Sequence, residues 1–198
     1  MNNLLVKAQK LIDASYHFDF IAPLLLRLYL FPIFWMAGMH KFNSFNDTVS
    51  WFGNTEWGLG LPFPIVMASL AITAEVVGAV FILMGFATRW ATIPLMFTMI
   101  VAATTVHWQH GWQAVHDLMS PWANQNTEGA IERLDKATEL LQEYGNYEWL
   151  TEHGNFIVSN NGIEWAATYF IMLLALFFLG GGKYISIDYW IRKRYMQD

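Results

Sequence analysis

The chain has 198 residues, of which 55% are hydrophobic and only 14% are charged. A soluble domain has roughly 25% charged residues, so this composition is typical of a membrane protein. The net charge of −5 does not suggest nucleic acid binding, and the absence of cysteine excludes disulfides, thiolate metal sites and CxxC redox chemistry.

The first twenty residues mix two lysines, Lys7 and Lys10, with leucine, valine and isoleucine. This pattern predicts a short amphipathic helix on a membrane surface. The segment 21–41 that follows is apolar apart from Arg27 near its start and Lys41 at its end. It is longer than the apolar region of a signal peptide, about 7–15 residues, and no A-x-A cleavage site follows it. We therefore expect it to stay in the mature protein as a membrane anchor.

Four apolar segments are long enough to cross a bilayer. A hydrocarbon core of ~30 Å requires about 20 helical residues, or roughly 17–25 with tilt. The predicted transmembrane helices are, in chain order, 21–41, 64–86, 90–110 and 163–180. The predicted fold class is therefore all-α, an integral membrane four-helix bundle that forms one domain over residues 1–198.

Lysine and arginine are distributed unevenly between the two ends of these helices. One side carries Lys7, Lys10, Arg89, Lys183, Arg192, Lys193 and Arg194, and the other carries Lys41, Arg133 and Lys136. Cytoplasmic flanks carry the excess of such residues. We therefore predict a multi-pass protein of the bacterial inner (plasma) membrane with both termini in the cytoplasm and the loop 111–162 outside.

The long outer loop contains a second amphipathic pattern. Thr127 is predicted to cap a helical run that ends at Gly145, with apolar residues at helical spacing and glutamates between them. We interpret the acidic side as a solvated helix face rather than a catalytic site. No P-loop, GxGxxG, HExxH or GxSxG motif occurs, so the sequence assigns no enzyme class.

Charged residues inside apolar segments are the first candidate site. A charge at the centre of a membrane helix costs roughly 2.5–3.5 kcal/mol, so such a residue normally faces other helices and has a partner. Arg27 and Glu75 are the two opposite charges that lie well inside the predicted helices. They could form an ion pair that orients the first two helices, or a site for a proton or a quinone headgroup. The further polar candidates at the helix ends are Lys41, Arg89, Glu164 and Asp188.

Histidines at the outer helix ends are the second candidate site. His40 ends the first predicted helix, His107 and His110 end the third one turn apart, and Glu164 begins the fourth. Without cysteine, a metal site here would use imidazole and carboxylate, a set that suits copper when methionine is also near. The alternative is that these histidines only place polar tips at the membrane surface.

Three segments resemble the DoxX family of four-helix membrane proteins: RLYLFPIFWMAGMHKF, AEVVGAVFILMGFATRWA and NNGIEWAATYFIMLLALFFLGGGKYISIDYW. The resemblance covers roughly residues 21–192. The positions that carry it are Arg27, Gly38, Lys41, Glu75, Gly78, Gly85, Arg89, Gly180, Gly182, Ser186 and Asp188. The motifs WFGNTEWGLGLPFP, TVHWQHGW and GNYEWLTEHGNF are more specifically similar to the HvfX-type branch of that family.

The resemblance implies two functions, and a third is open beside them. Members of the HvfX-type branch are associated with copper-binding ribosomal peptides called bufferins, which implies an accessory protein for periplasmic copper handling or peptide maturation. Other relatives are linked to quinone-dependent oxidation, which implies a membrane subunit of a quinone-linked oxidoreductase. The third is a non-catalytic scaffold for partner proteins. The implied cofactors are copper or quinone; the implied partners are the lipid bilayer and a periplasmic peptide or its maturation proteins. A homo-oligomer is also compatible with the sequence.

Overall fold

The computed structural model describes the backbone of residues 2–196 and the side chains of residues 5–196. Met1 and residues 197–198, which the predicted single domain includes, lie outside the described residues. The chain divides into two compact units, a first unit of Met1–Met99 with Tyr169–Asp198 and a second unit of Ile100–Thr168. Within the described range every regular element is helical, so the predicted all-α class is confirmed.

The helices are, in chain order, α1 (Asn2–Ser15), α2 (Ile21–Asn43), α3 (Phe45–Gly53), α4 (Pro64–Met84), α5 (Thr88–Val101), α6 (Gln125–Tyr144), α7 (Tyr147–Leu150), α8 (Glu164–Leu179) and α9 (Ile187–Tyr195). The helix that begins with α5 continues through a π-helical stretch, Ala102–His107, and a 3₁₀ turn, Trp108–His110.

Three helices have the length and composition needed to cross a membrane: Ile21–Asn43, Pro64–Met84 and Thr88–His110. They correspond to the first three predicted spans. The fourth predicted span, 163–180, is represented by the apolar helix α8, which has 16 residues and a length of roughly 24 Å. It ends at Leu179, because the next residue, Gly180, has a φ of +74° that does not continue a right-handed helix. Its crossing of the bilayer therefore stays a prediction.

Four helices share one apolar core in the first unit. Two side chains from each of them are buried together: Leu30 and Phe34 of α2, Ala79 and Ile82 of α4, Ala91 and Leu95 of α5, and Leu173 and Leu176 of α8. The α2–α4 pair approaches closely at Gly38, where an added Cβ would lie 2.7 Å from Cγ2 of Val76. This close approach places the polar residues of α2 and α4 against each other.

The second unit contains α6, which begins earlier than predicted. Its N-cap is Asn124, whose side chain accepts hydrogen bonds from the backbone N–H groups of Asn126 and Thr127. Thr127, the predicted cap, lies inside the first turn and closes a capping box instead. The prediction was wrong here because Asn and Thr both suit the cap position. The predicted end of the helix at Gly145 is confirmed.

Candidate functional site

Arg27 is buried in the apolar part of α2 and is only 2% exposed. Its Nε donates a hydrogen bond to the Ile82 carbonyl oxygen at 2.6 Å, and its Nη2 donates to the Leu83 carbonyl oxygen at 2.6 Å. Its Nη1 donates to the carbonyl oxygens of Gly181 and Ile185, both at 2.8 Å. We call this guanidinium and its four carbonyl acceptors the arginine anchor.

The predicted ion pair between Arg27 and Glu75 is therefore wrong. Ile82, which Arg27 does contact, follows Glu75 by seven residues, or roughly 10 Å along the helix. The last carbonyl groups of a helix lack N–H donors within it and form the negative end of its dipole. Arg27 satisfies two of these carbonyls in α4, so its charge needs no carboxylate partner.

Glycine is required beside the arginine anchor. Gly85 has a φ of +63°, and an added Cβ there would lie 2.8 Å from Cζ of Arg27 and 2.6 Å from Cβ of Ser186. Asp188, one of the predicted polar residues, accepts hydrogen bonds from the backbone N–H groups of Ala87 at 2.7 Å and Thr88 at 2.9 Å. It thus caps the start of α5 from a distant part of the sequence.

Two further basic residues connect segments of the chain at the same end of the first unit. Arg89, also predicted as a polar candidate, donates from Nη2 to the Phe178 carbonyl oxygen at 3.0 Å. Lys183 donates from Nζ to Oδ2 of Asp19 at 2.6 Å, and this hydrogen bond raises the pKa of Lys183. The bonds join the turn after α8 to the chain before α2 and connect α8 to α5. This end of the first unit is held by polar contacts with structural roles.

The partner of Glu75 is Lys41. Nζ of Lys41 lies 2.8 Å from Oε1 and 2.7 Å from Oε2 of Glu75. The side chain of Glu75 is 5% exposed and that of Lys41 is 25% exposed. Glu75 lies on the buried stripe of α4, and Lys41 lies one turn after Gly38, where α2 and α4 approach most closely. The close approach explains why the two charged groups meet.

Lys41 faces a cavity of about 420 Å³. The polar and aromatic side chains that line it are His40, Lys41, Ser44, Asp47, Thr48 and Trp51. It is an open depression on the surface of α2 and α3, in which His40 and Asp47 are exposed. We call it the Lys41 cavity. It combines a cation that is held by a buried carboxylate with an imidazole and a second carboxylate, groups that can bind an electronegative oxygen and move protons.

Sequence analysis missed Asp47, Ser44 and Trp51 as cavity residues. They lie on or next to α3, a nine-residue helix that is too short to be noticed among the membrane segments. The available signal was a carboxylate, Asp47, at helical spacing after His40 and Lys41. That spacing would place Asp47 near His40 and Lys41 if one helix continued through Ser44. The structure has a break between α2 and α3 at Ser44, so the spacing alone could not predict the cavity.

The predicted histidine site is distributed over both units. His40 lies in the first unit and lines the Lys41 cavity. In the second unit, Nδ1 of His107 lies 2.7 Å from the Asn161 carbonyl oxygen, and Oε2 of Glu164 accepts from the backbone N–H of Ala114 at 2.9 Å. The acceptor that orients His107 is thus the Asn161 carbonyl rather than the Glu164 carboxylate.

No group of three or more His, Asp or Glu residues that could hold a metal ion occurs among the described residues. The carbonyl oxygen of His110 accepts a hydrogen bond from Nδ2 of Asn160 at 2.6 Å. This backbone contact fixes the chain at His110. His107 and His110 therefore lie at a helix end that is fixed by hydrogen bonds to the chain at 160–161, and a copper site that combines them with Glu164 and His40 stays a prediction.

Comparison with known proteins places the chain in a family. Residues 22–108 match the sequence profile described as DoxX. The chain is also 32% identical to the inner membrane protein YphA of Escherichia coli (strain K12) over 125 residues, which cover 58% of this chain and 85% of YphA. The chain belongs to the DoxX family. It is 35% identical to the putative oxidoreductase CatD of Bacillus subtilis (strain 168) over 86 residues, which cover 43% of this chain and 60% of CatD. No solved structure matches it significantly.

The DoxX match includes both polar centres on the membrane helices. Arg27, Lys41, Glu75 and Arg89 all lie within residues 22–108. Asp188 and the turn that supplies two of the Arg27 acceptors lie beyond the match. The protein is therefore a DoxX membrane protein with an inner-membrane homologue. Its assignment to the HvfX-type branch stays a prediction.

Proposed function

We propose that this DoxX protein is the membrane subunit of a quinone-linked oxidoreductase and that the Lys41 cavity binds the quinone headgroup. The observation that carries the proposal is that Lys41, which is paired with the buried Glu75, lines a cavity of about 420 Å³. Support comes from CatD, a relative described as a putative oxidoreductase.

The chemistry of quinone reduction suits these residues. A quinone takes up two electrons and two protons to give a quinol, and negative charge develops on its carbonyl oxygens during the reaction. The Lys41 ammonium can donate a hydrogen bond to one such oxygen and stabilise that charge. Glu75 holds the ammonium in place, and His40 and Asp47 line the cavity, where an imidazole and a carboxylate can take up and release protons. The electrons come from a partner reductase or dehydrogenase.

Equilibrium binding of a short-chain quinone to the full chain in nanodiscs tests the proposal. Lys41→Met removes the donor, and a hydrogen bond from a charged group contributes about 1.5–3 kcal/mol, so we expect binding to weaken by roughly tenfold to a hundredfold. The matched control is Lys136→Met, an exposed lysine of α6. Unchanged quinone affinity in the folded Lys41→Met protein would refute the proposal.

A second candidate is copper handling, and the geometry of His107 favours it. A carbonyl oxygen only accepts, so the Asn161 contact requires the proton on Nδ1 and leaves the Nε2 lone pair of the neutral ring available. Ligand histidines in metal sites are commonly oriented in this way. The proposed role is to receive or pass copper at the outer helix ends, as an accessory to the maturation of a copper-binding peptide.

Copper uptake by the purified protein distinguishes the two candidates. The double variant His107→Ala/His110→Ala should lose bound copper and keep its quinone affinity. The control variant is His17→Ala, an exposed histidine outside both sites. Equal copper content in the parent and the double variant, or none in the parent, would leave the histidines as surface residues only.

We also propose that both termini are cytoplasmic and that the protein crosses the inner membrane four times, with α8 as the fourth span. The asymmetry of lysine and arginine supports this topology. Reporter domains fused at the carboxyl terminus and inserted in the loop 111–162 should report opposite sides of the membrane. Reporters on the same side would exclude four crossings.

A further inference from the structure

We propose that a second cavity, at the end of the first unit where α5 begins, binds the phosphodiester headgroup of an anionic lipid. The cavity has a volume of about 230 Å³, and its polar and aromatic lining consists of Thr88, Arg89, Trp90, Asp188 and Arg192. We call it the Arg192 cavity. The inference is independent of the quinone and copper proposals, which concern other residues.

Two guanidinium groups make the Arg192 cavity suited to an anion. Arg89 donates one hydrogen bond from its guanidinium group to the Phe178 carbonyl oxygen. Because a guanidinium group has five N–H donors, Arg89 keeps further donors for a ligand. The guanidinium group of Arg192 has no hydrogen bond or ion pair with any group that the structure describes, whereas its backbone carbonyl accepts from Met196. Planar guanidinium groups bind phosphate oxygens in pairs of parallel hydrogen bonds. The free donors of both arginines therefore offer a phosphate-binding fork.

The one carboxylate in the lining, Asp188, is already engaged. Its Oδ1 and Oδ2 accept from the backbone N–H groups of Ala87 and Thr88, so it caps α5 rather than pairing with Arg192. Two guanidinium groups against one carboxylate leave the lining with a net positive charge. Lys193 and Arg194 follow directly in sequence but do not line the cavity.

Thr88 contributes packing rather than a contact to the lining. It is fully buried, and its hydroxyl group lies beside Gly181. The headgroup contacts are therefore left to the two exposed guanidinium groups.

The surroundings of the cavity favour a lipid over a free phosphate ion. Trp90 in the lining is 76% exposed and Trp190 on α9 is 55% exposed, and exposed tryptophan beside membrane helices is typical of the headgroup level. Apolar Ile191 also lines the cavity. The proposed topology places this end at the cytoplasmic leaflet, where anionic lipids attract basic segments.

Native mass spectrometry of the full chain, released from nanodiscs of mixed phosphatidylglycerol and phosphatidylcholine, tests the inference. The parent should retain phosphatidylglycerol in preference to phosphatidylcholine. Arg192→Gln should lower that preference by about tenfold, since it removes the unpartnered guanidinium. Arg194→Gln is the matched control, because it removes the same charge only two residues along the chain. The Arg194 side chain stacks on Tyr195 and does not line the cavity. Its preference should stay within about twofold of the parent.

Three results would overturn the inference. Equal losses in Arg192→Gln and Arg194→Gln would indicate diffuse attraction to the basic segment rather than a site. Displacement of the lipid by excess inorganic phosphate would indicate a free-phosphate site. The same lipid ratio for the parent and Arg192→Gln would show that the cavity binds no headgroup. Thermal unfolding of both variants should match the parent, because both side chains are exposed.

Discussion

The same two helices, α2 and α4, bury charge in two different ways. At one end, Arg27 binds four neutral carbonyl groups and forms no ion pair with a described side chain. Toward the other end, Lys41 binds both oxygens of Glu75 beside a cavity. Both arrangements compensate the cost of removing charge from water. Only the second leaves a charged group that an incoming molecule can reach.

The difference separates a structural role from a chemical one. The donors of Arg27 are committed to backbone groups of α4 and of the turn after α8, so a ligand would have to break the fold to use them. The Lys41 side chain remains 25% exposed, so we expect its ammonium group to reach the cavity while it keeps one contact with Glu75. Substitutions at the two sites should therefore differ in what they damage, stability at Arg27 and function at Lys41.

The largest effect is expected for Arg27→Met. The substitution removes four hydrogen bonds. The Ile82 carbonyl oxygen keeps the Gly85 N–H as a donor, so three carbonyl groups lose their donor among the described residues. Each unsatisfied buried group costs about 1–3 kcal/mol, so we expect the unfolding free energy to fall by about 3–9 kcal/mol. Denaturant unfolding in detergent micelles, together with the amount of protein in membranes, measures this loss.

The control is Arg133→Met in α6. Nη1 of Arg133 also donates to a carbonyl oxygen, that of Gly129 at 2.6 Å, but the pair is exposed. Surface substitutions usually change stability by no more than about 0.5 kcal/mol. If Arg27→Met unfolds at the same denaturant concentration as Arg133→Met, the arginine anchor does not hold the fold together.

An intermediate effect is expected at the Lys41–Glu75 pair, and it should be asymmetric. Lys41→Met leaves a carboxylate that is almost wholly buried, so we expect a loss of about 3 kcal/mol, the low end for broken buried pairs. Glu75→Gln leaves an ammonium that can turn into the cavity, so we expect a loss of only about 1–2 kcal/mol. Thermal and denaturant unfolding of both single variants measures the difference.

The double variant Lys41→Met/Glu75→Gln separates stability from function. It contains no unpaired charge, so most of the stability lost in Lys41→Met should return. Quinone binding should stay lost, because the ammonium donor is absent. A double variant that is restored in both stability and quinone affinity would show that the ion pair only orients α2 against α4.

The sequence predicted the helices well and the pairing of charges poorly. Long apolar runs determine where membrane helices begin and end to within a few residues, as for α2 and α4. The partner of Arg27 could not be predicted in this way, because its acceptors are backbone carbonyls and every residue has one. Lys41 was assigned to the helix end, although its long side chain reaches back to Glu75.

The cavities escaped sequence analysis for a related reason. The Lys41 cavity needs the break at Ser44 and the short helix α3, and the Arg192 cavity needs residues from α5 and α9 that are about 100 positions apart. Such arrangements depend on tertiary packing rather than on local pattern. The residue types were still informative, since Arg27, Lys41, Glu75, Arg89 and Asp188 all have specific polar contacts in the structure.

An effect similar in size to that of Glu75→Gln is expected for Gly38→Ala, which tests how closely α2 and α4 must approach for Lys41 to reach Glu75. An added Cβ would lie 2.7 Å from Cγ2 of Val76 and 3.1 Å from its backbone nitrogen, so the two helices must separate slightly. Such overpacking typically costs about 1–3 kcal/mol.

The control is Gly129→Ala in α6, where the nearest atom is Nη1 of the flexible Arg133 side chain. Its stability should be unchanged or rise by up to about 1 kcal/mol. Quinone affinity should fall in Gly38→Ala even under conditions in which the protein stays folded, because separation lengthens the Lys41–Glu75 contact. Parental stability and affinity in Gly38→Ala would mean that the helices tolerate a wider spacing and that the pair does not depend on the glycine.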